Sequence, residues 1–574
     1  MGIPHLISTL EPYAVHGVLD NDRVVIDGPA LAYHILHICN RHGIVQPSYQ
    51  LLGDTTIAWL DELVSRGVSV EAIYFDGHLP RAKRLVRMER MVKSLNQLKT
   101  LHSKDPSGFS PADFSTVKET PPTLFSSTQP LGKPFLPPSF HVPAIIDALR
   151  FCSRYTKLVH LVPGEADAYC AQRLSKSGGI VITADSDLLV HDLGHGRVVF
   201  LRDIYLDGQS RLACASFSPA HICEKVKLSP TSEICRLAYE RKRSPHSTLS
   251  QLLRDCAQEV ADTAGYAEFR HEYLDHETAP LPVSIADREI QIGTLDPRIS
   301  ELILQLGNQD VQSNDPNGDM MFLPILLENP SRGSAWEQST PIRQLAYTVA
   351  RWIIPGSSST VQEYRRVNTS VQKGRQVHML PKEAAKAWAQ DLTSLMSEIN
   401  GESERDAVQT WQILCLTVDI RHCREEGKKS HILQILKECS QRTAFKRVSW
   451  DIIHFVAQLQ AAYYSFRLLK QVISLASTEE TMPELHSMLS SLPSLAEFPT
   501  IESTLEFLRK SVEAQMLKTI TRLVPLPDTF TEEQSGRASA PKKRKAAKQN
   551  GRGRKAGPGN TATRNLFDVL SHDT

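Results

Sequence analysis

The sequence predicts an α/β fold: a parallel sheet flanked by helices at the N-terminus, then a mainly α-helical region and a basic tail. Three observations carry this. Strand-like runs that end in Asp recur through the first 190 residues, with helical patterns between them. After about residue 215 the strand signals fade and long amphipathic patterns take over. From Gln534 to Phe567 there are ten Lys or Arg and no Asp or Glu.

The first strand is Arg23-Val24-Val25-Ile26-Asp27-Gly28, a β-branched run stopped by Asp-Gly turn chemistry. A helix follows, with Leu31, Ile35 and Ile38 near helical spacing. The run from Val70 to Phe75, closed by Asp76-Gly77, repeats the signal, and Gly179-Ile180-Val181-Ile182-Thr183-Ala184-Asp185 gives it a third time. Helical patterns over 142–155 and 165–174 lie between. Strand, helix, strand, helix implies a parallel sheet covered on both faces. Between 104 and 140, eight of 37 residues are proline, which predicts a disordered insertion and no long helix. Residues 408–423, 450–475 and 501–523 are long amphipathic patterns. The expected regions are therefore 1–215, with the insertion at 104–140, then 216–355, 356–527 and a disordered basic tail at 528–574.

The chain has 574 residues, 41% of them apolar, and so can bury a large core without staples. No run of 18 apolar residues is present, so no membrane-spanning helix is expected. Ten cysteines without a Cys-x-x-Cys pair predict neither a disulfide framework nor a zinc site. The start lacks a signal-peptide layout. The formal charge of +1 hides an asymmetry: without the tail's ten bases, 55 bases face 64 acids, a net of −9.

Asp27, Asp76 and Asp185 each end a strand, where ligands bind in open α/β sheets. Asp187 follows two residues later. Glu165 and Asp167 sit at Pro163-Gly164-Glu165-Ala166-Asp167, where Pro-Gly precedes a helix. One such acid alone is more often a turn former or helix cap. Six together would repel each other without cations. Oxygen donors with no His or Cys among them suit Mg²⁺ or Mn²⁺, and two such ions stabilise both the attacking and leaving oxygens of a phosphodiester.

After Asp76 come seven bases between Arg81 and Lys99 against one acid, Glu89. Lys83, Arg87 and Arg90 share one helical face, with Leu85, Met88, Val92 and Leu95 opposite. This stripe is either a solvated face or a phosphate contact, and the near absence of acids removes the i,i+4 pairs that favour the first reading.

Met1-Gly2-Ile3, Val25-Ile26-Asp27, Tyr74-Phe75-Asp76-Gly77, Pro163–Ala168 and Thr183-Ala184-Asp185-Ser186-Asp187 resemble the flap endonuclease/XPG family. The resemblance implies a PIN-like fold over 1–215 and two-metal nuclease activity on DNA or RNA. Asp27, Asp76, Glu165, Asp167, Asp185 and Asp187 would hold two Mg²⁺ (or Mn²⁺). Lys83 and Arg90 would face the scissile phosphate, Tyr33 would stack on a base, and Gly2 would lie near the metals. The family's Gly-x-Asp-Tyr element is absent: the chain reads Leu237-Ala238-Tyr239-Glu240 there. Leu295–Leu302, Pro324–Arg332 and Ala335-Trp336-Glu337-Gln338 resemble the asteroid-type branch, which implies an asteroid-like region at 216–355.

Two function classes follow: a metal-dependent, structure-specific nuclease, or a nuclease-fold protein that binds nucleic acid without cutting. Arg365-Arg366 with Lys373 and Arg375 reads as a charged surface loop or a nucleic-acid contact. Pro541-Lys542-Lys543-Arg544-Lys545 reads as a nuclear-import cluster. Asn565–Leu570 is an apolar island that would suit a short protein-docking motif.

Overall fold

Short β-branched runs form the centre of the molecule because their side chains are buried on both faces of a pleated sheet. In the computed structural model the strands are β1 (Val15–Val18), β2 (Arg23–Asp27), β3 (Ser69–Asp76), β4 (Val159–Val162), β5 (Ile180–Thr183), β6 (Arg197–Phe200), β7 (Tyr205–Leu206), β8 (Leu212–Phe217), β9 (Asp319–Phe322), β10 (Thr360–Tyr364) and β11 (Arg375–His378). The structure describes residues 3–80, 83–114, 123–125, 136–228, 232–274, 281–286, 290–307, 319–356, 358–367, 374–401, 406–439, 445–476, 482–510 and 515–524. Gly2, Lys373, 18 of the 37 residues of the Pro-rich segment (115–122 and 126–135) and the whole tail, with its basic cluster and the Asn565–Leu570 island, lie outside them.

The main sheet runs β1-β8-β6-β5-β2-β3-β4, with β7 paired to β8. β6, β5, β2, β3 and β4 are mutually parallel. β8 is antiparallel to β6, β1 and β7. Val24, Val25 and Ile26 on β2 are at most 2% exposed, each contributing about 1.5–3 kcal/mol of burial. The chain leaves β2 towards β3 on one side and has β5 on the other, so a topological switch point opens beside β2. Asp27 caps the following helix, Gly28–Arg41, by accepting a hydrogen bond from Ala30 N–H at 3.1 Å. A side chain at Gly28 would collide with the Phe75 ring and the Tyr74 carbonyl, so glycine lets this helix lie close on β3.

The expected α/β architecture is present, and the helical region around Trp450–Leu475 is also as expected. Three expectations are corrected. A second sheet, β11-β10-β9, spans 319–378, within and across the regions read as helical. Its strands are short: β9 is a buried Asp-Met-Met-Phe run of only four residues, and β10 and β11 set Gln, Glu and Arg beside single buried valines. Second, the Pro-rich segment is ordered at both described ends: the Phe109 and Val448 backbones pair, Trp450 Nε1–H donates to the Asp105 carbonyl at 2.7 Å, and Phe114 and Leu136 are buried. Proline stops the helix there, but the aromatics between the prolines supply apolar anchors. Third, the helix Arg84–Lys104 buries Met91, Leu95 and Leu98; of the expected apolar face only Leu95 is buried, Met88 and Val92 are half-buried and Leu85 is 74% exposed.

Residues Met1–Pro525 form one unit, knitted across the expected boundaries. Arg467, on the Trp450–Leu475 helix, donates to both oxygens of Asp147 at 2.7 and 2.9 Å and to Asp296 at 3.0 Å. All ten cysteines are free thiols. Among the described residues no helix is long and apolar enough to cross a membrane.

Candidate active site

Each acid reaches the sheet's C-terminal edge by a local device. Asp27 ends β2 and Asp76 ends β3. Asp76 accepts a hydrogen bond from Ala166 N–H at 2.7 Å, which ties β3 to the start of the helix Ala166–Ser177. Glu165 is the N-cap of that helix and Asp167 lies in its first turn. Asp185 caps the 3₁₀ turn Ser186–Leu189 by accepting from Asp187 N–H at 3.1 Å. Asp187 in turn accepts from Ile3 N–H at 2.9 Å and from Tyr273 O–H at 3.0 Å. Ile3 thus brings the N-terminal segment to the acids.

The acids act strongly on one another. Burial pushes Asp27 up to about 7, and the charges of Asp76 and Asp185 add to it, against hydrogen bonds from Thr183 and Ala30. Burial, then Glu165, pushes Asp76 up to about 6, with Lys83 and Arg90 opposing. Burial, then Asp185, pushes Asp187 up to about 6. Burial, then the charges of Asp27, Asp185, Asp76 and Glu165, holds Asp167 well above the ordinary carboxylate range. The six acids therefore share one electrostatic site. As the side chains stand, no three His, Cys, Asp or Glu among the described residues converge closely enough to hold an ion. The donor set still fits a hard divalent cation: it is all carboxylate oxygen, half-buried, and carries more negative charge than its neighbours neutralise.

The cations fall into two groups. Lys83 Nζ pairs with Glu165 at 2.7 Å and lies 3.8 Å from Glu272. Burial alone would lower Lys83, but Glu165, Glu272 and Asp167 outweigh it and hold the ammonium charged. Arg90 is exposed, and its charge reaches both Asp76 and the Tyr33 hydroxyl. Tyr33 is 55% exposed, its ring edge-on to His141 with centroids 4.6 Å apart, so one face is open to a stacking partner. Arg87 departs from the expected stripe. It pairs with Glu301 at 2.5 Å and lies over the Phe322 ring at 4.2 Å, so it joins the helix that follows Asp76 to the helix Pro297–Gly307 and to β9.

Three residues beside the site escaped the sequence reading. Thr183 Oγ1 donates to Asp27 at 2.6 Å; it stands inside the quoted Thr-Ala-Asp-Ser-Asp run and was open to recognition. Glu272 and Tyr273 come from the helix Thr263–Tyr273, and no local signal ties that helix to the acids. Glu240 stands where the Gly-x-Asp element is missing, but it is 3% exposed and held by Arg236 at 2.7 Å and Arg243 at 3.0 Å. It does not reach the acid cluster as a ligand.

A family model described as XPG domain containing matches residues 137–379, a stretch that takes in Glu165 to Asp187 and ends just past β11. Asteroid homolog 1 of Schizosaccharomyces pombe is 23% identical over 387 residues. That match covers 65% of each chain, so the chain spans a little under two thirds of that relative's length. Two solved structures described as the catalytic core of Rad2 in complex with DNA substrate are similar at 15% identity. They cover 49% and 50% of this chain and 89% and 93% of their own, with TM-scores of 0.29 and 0.28.

Proposed function

We propose that this chain, an asteroid-type member of the XPG-domain proteins, is a metal-dependent phosphodiesterase that cuts DNA or RNA with a preference for substrate structure. One observation carries the reading. Six mutually repelling acids gather at the switch point of a parallel sheet, beside Lys83, Arg90 and the open ring of Tyr33.

Asp27, Asp76, Glu165, Asp167, Asp185 and Asp187 would hold two Mg²⁺ or Mn²⁺. What such ions supply when bound is Lewis-acid polarisation of a phosphoryl oxygen. The chain's own groups do the rest. Lys83, kept protonated by Glu165 and Glu272, stabilises charge that develops on the phosphate. Arg90 adds a second donor from the same helix. Tyr33 offers its exposed face to a base, which fixes the strand beside the acids. Tyr273 and Ile3 hold Asp187 in orientation.

A second reading, binding without cleavage, is favoured by the missing Gly-x-Asp element and by Glu240 being held by two arginines. One experiment separates the two: an Mg²⁺-dependent cleavage panel over flap, bubble and single-stranded substrates. We expect cleavage by the wild type and at least a hundredfold loss for Asp185→Asn, with binding in EDTA retained. A wild type that binds these substrates but cuts none in Mg²⁺ or Mn²⁺ overturns the enzyme reading. Nuclear import through Lys542–Lys545 belongs to the same proposal, and alanine at those four positions should abolish it.

A further inference from the structure

Away from the acids, the second sheet opens onto a cleft of about 640 Å³, within the size range of small-molecule sites. Its floor is the Arg365-Arg366 pair, which does not form the surface loop that its charge suggested. The two residues are 1% and 0% exposed. Arg366 donates to Glu328 at 2.7 Å and to the carbonyls of Arg332 and Gly333; Arg365 bonds Glu337 and Glu363. Arg375, Lys428 and Lys429 stand at the rim.

Two features go beyond a satisfied ion network. The first is charge. Arg332, Arg343, Arg365, Arg366, Arg375, Lys428 and Lys429 make seven cations in or directly behind the cleft. The acids that pair with them are Glu328, Glu337, Glu363, Glu426 and Asp451, which are five. Asp419, which holds Gln458 from behind the cleft, is a sixth acid, and seven less six leaves a surplus of one positive charge. The second is a set of buried polar atoms without partners. His431 Nε2–H donates to the Asp451 carbonyl at 3.0 Å, so Nδ1 of the neutral ring is an acceptor, and it has no hydrogen-bond partner. Gln458 donates through Nε2 to Asp419 at 3.1 Å, which leaves its Oε1 without a partner. His454 Nδ1 likewise has none. His431, His454 and Gln458 are 8%, 3% and 3% exposed, and all three line the cleft.

An anion would balance the charge, but alone it would leave the acceptors of His431 and Gln458 unmet. A ligand with both a phosphate and hydrogen-bond donors satisfies both features. We propose that this cleft binds a nucleotide, its phosphate monoester among the cations and the N–H or O–H groups of its base or sugar at His431 and Gln458. The nucleotide is either free or the phosphorylated end of a strand. The site is separate from the carboxylate cluster and stands whether or not that cluster cuts.

The test uses the full chain in EDTA, so that no metal carries phosphate to the acids. Binding of AMP, adenosine, inorganic phosphate, and a 5′-phosphorylated or 5′-hydroxyl oligonucleotide is measured by calorimetry or competition. AMP should bind at least tenfold tighter than adenosine or inorganic phosphate. Glu at both Lys428 and Lys429, exposed positions whose change spares the core, should weaken AMP at least tenfold. A preference for the 5′-phosphorylated oligonucleotide that this double variant loses identifies the strand end as the source. AMP binding with no such preference identifies the free nucleotide. No AMP binding at millimolar concentration, or AMP binding that the double variant leaves unchanged, overturns the proposal.

Discussion

At the edge of the parallel sheet, Asp27, Asp76, Asp167 and Asp187 are all pushed above the ordinary carboxylate range. At the second sheet, Glu363 on β10 and Glu337 beside it go the other way. Burial would raise Glu363, but Arg343 and Arg365 outweigh it and hold it below its usual value; Arg365 and Arg375 hold Glu337 at about 2. Both groups sit in one body and both are withdrawn from water. The difference is partnership: Glu363 receives two hydrogen bonds from Arg343, one from Arg365 and one from Tyr347. The acids at the edge of the parallel sheet receive backbone N–H groups, three hydroxyls and one lysine. Buried charge that is fully paired holds a structure together, whereas buried charge left in surplus is poised for a ligand.

The largest effect tests the paired side. Glu363→Ala leaves Arg343 and Arg365 buried with less compensation, and should destabilise the fold by about 3–5 kcal/mol in urea titration. A loss under about 1 kcal/mol would mean that the network is incidental.

The surplus side should respond with the opposite sign. Asp167→Asn removes one of several mutually repelling charges, so in EDTA it should raise stability by about 0.5–2 kcal/mol. If it destabilises the metal-free protein instead, the acids are better compensated than their surroundings indicate.

The same contrast predicts opposite pH behaviour. Asp27, Asp76 and Asp187 have folded values near 7, 6 and 6, above their unfolded value of 3.8. The metal-free folded chain therefore holds more protons than the unfolded chain between about pH 4 and 7, and these groups reduce stability as pH rises through that window. Glu337, depressed to about 2, contributes stability that is present above its unfolded value of 4.5 and is lost as pH falls towards 2. Mg²⁺ binding at pH 6 should consequently release protons, read as a dependence of calorimetric heat on buffer ionisation enthalpy, and the release should vanish by pH 9. Heat independent of buffer at pH 6 would remove these acids from the metal site.

The smallest effect separates two arginines three residues apart on one helix. Arg87→Ala breaks the contacts with Glu301 and Phe322 and should lower stability by about 1–2 kcal/mol. Arg90→Ala should change stability by less than about 0.5 kcal/mol while weakening nucleic-acid binding and reducing its salt slope. Equal effects on both readouts would restore the single stripe that the helical spacing suggested.

The acids were legible because each strand ends where its Asp begins, and strand ends are visible in the pattern of Val and Ile. Asp27 and Asp76 end strands as read, and Asp185 directly follows Thr183 and Ala184. What the pattern could not carry was partnership across distance. Arg365-Arg366 looked like surface because two of its three acids, Glu337 and Glu328, stand 28 and 38 residues earlier. Arg87 looked identical to Arg90 because helical spacing says which face a residue shares, not that Glu301 waits opposite. Tyr273 reaches Asp187 from 86 residues away. β9 to β11 were missed because strands of four or five residues, two of them with polar residues at alternate positions, match a loop as well as a sheet.

The contacts of Arg467 bear on how this chain can be divided. Its guanidinium holds Asp147, just ahead of β4, and Asp296, far beyond the main sheet. Trp450 holds the stretch that follows the Arg84–Lys104 helix. A fragment cut after residue 215 would keep every acid and lose both anchors, leaving Asp147 without its cation and Phe109 without its strand partner. Such an excised domain would report on its broken scaffold: its silence in a cleavage assay would say nothing about the intact chain. By the same logic, an inherited change deep in the Trp450–Leu475 helix should disturb the acids' scaffold while standing on the far side of the sequence from every acid.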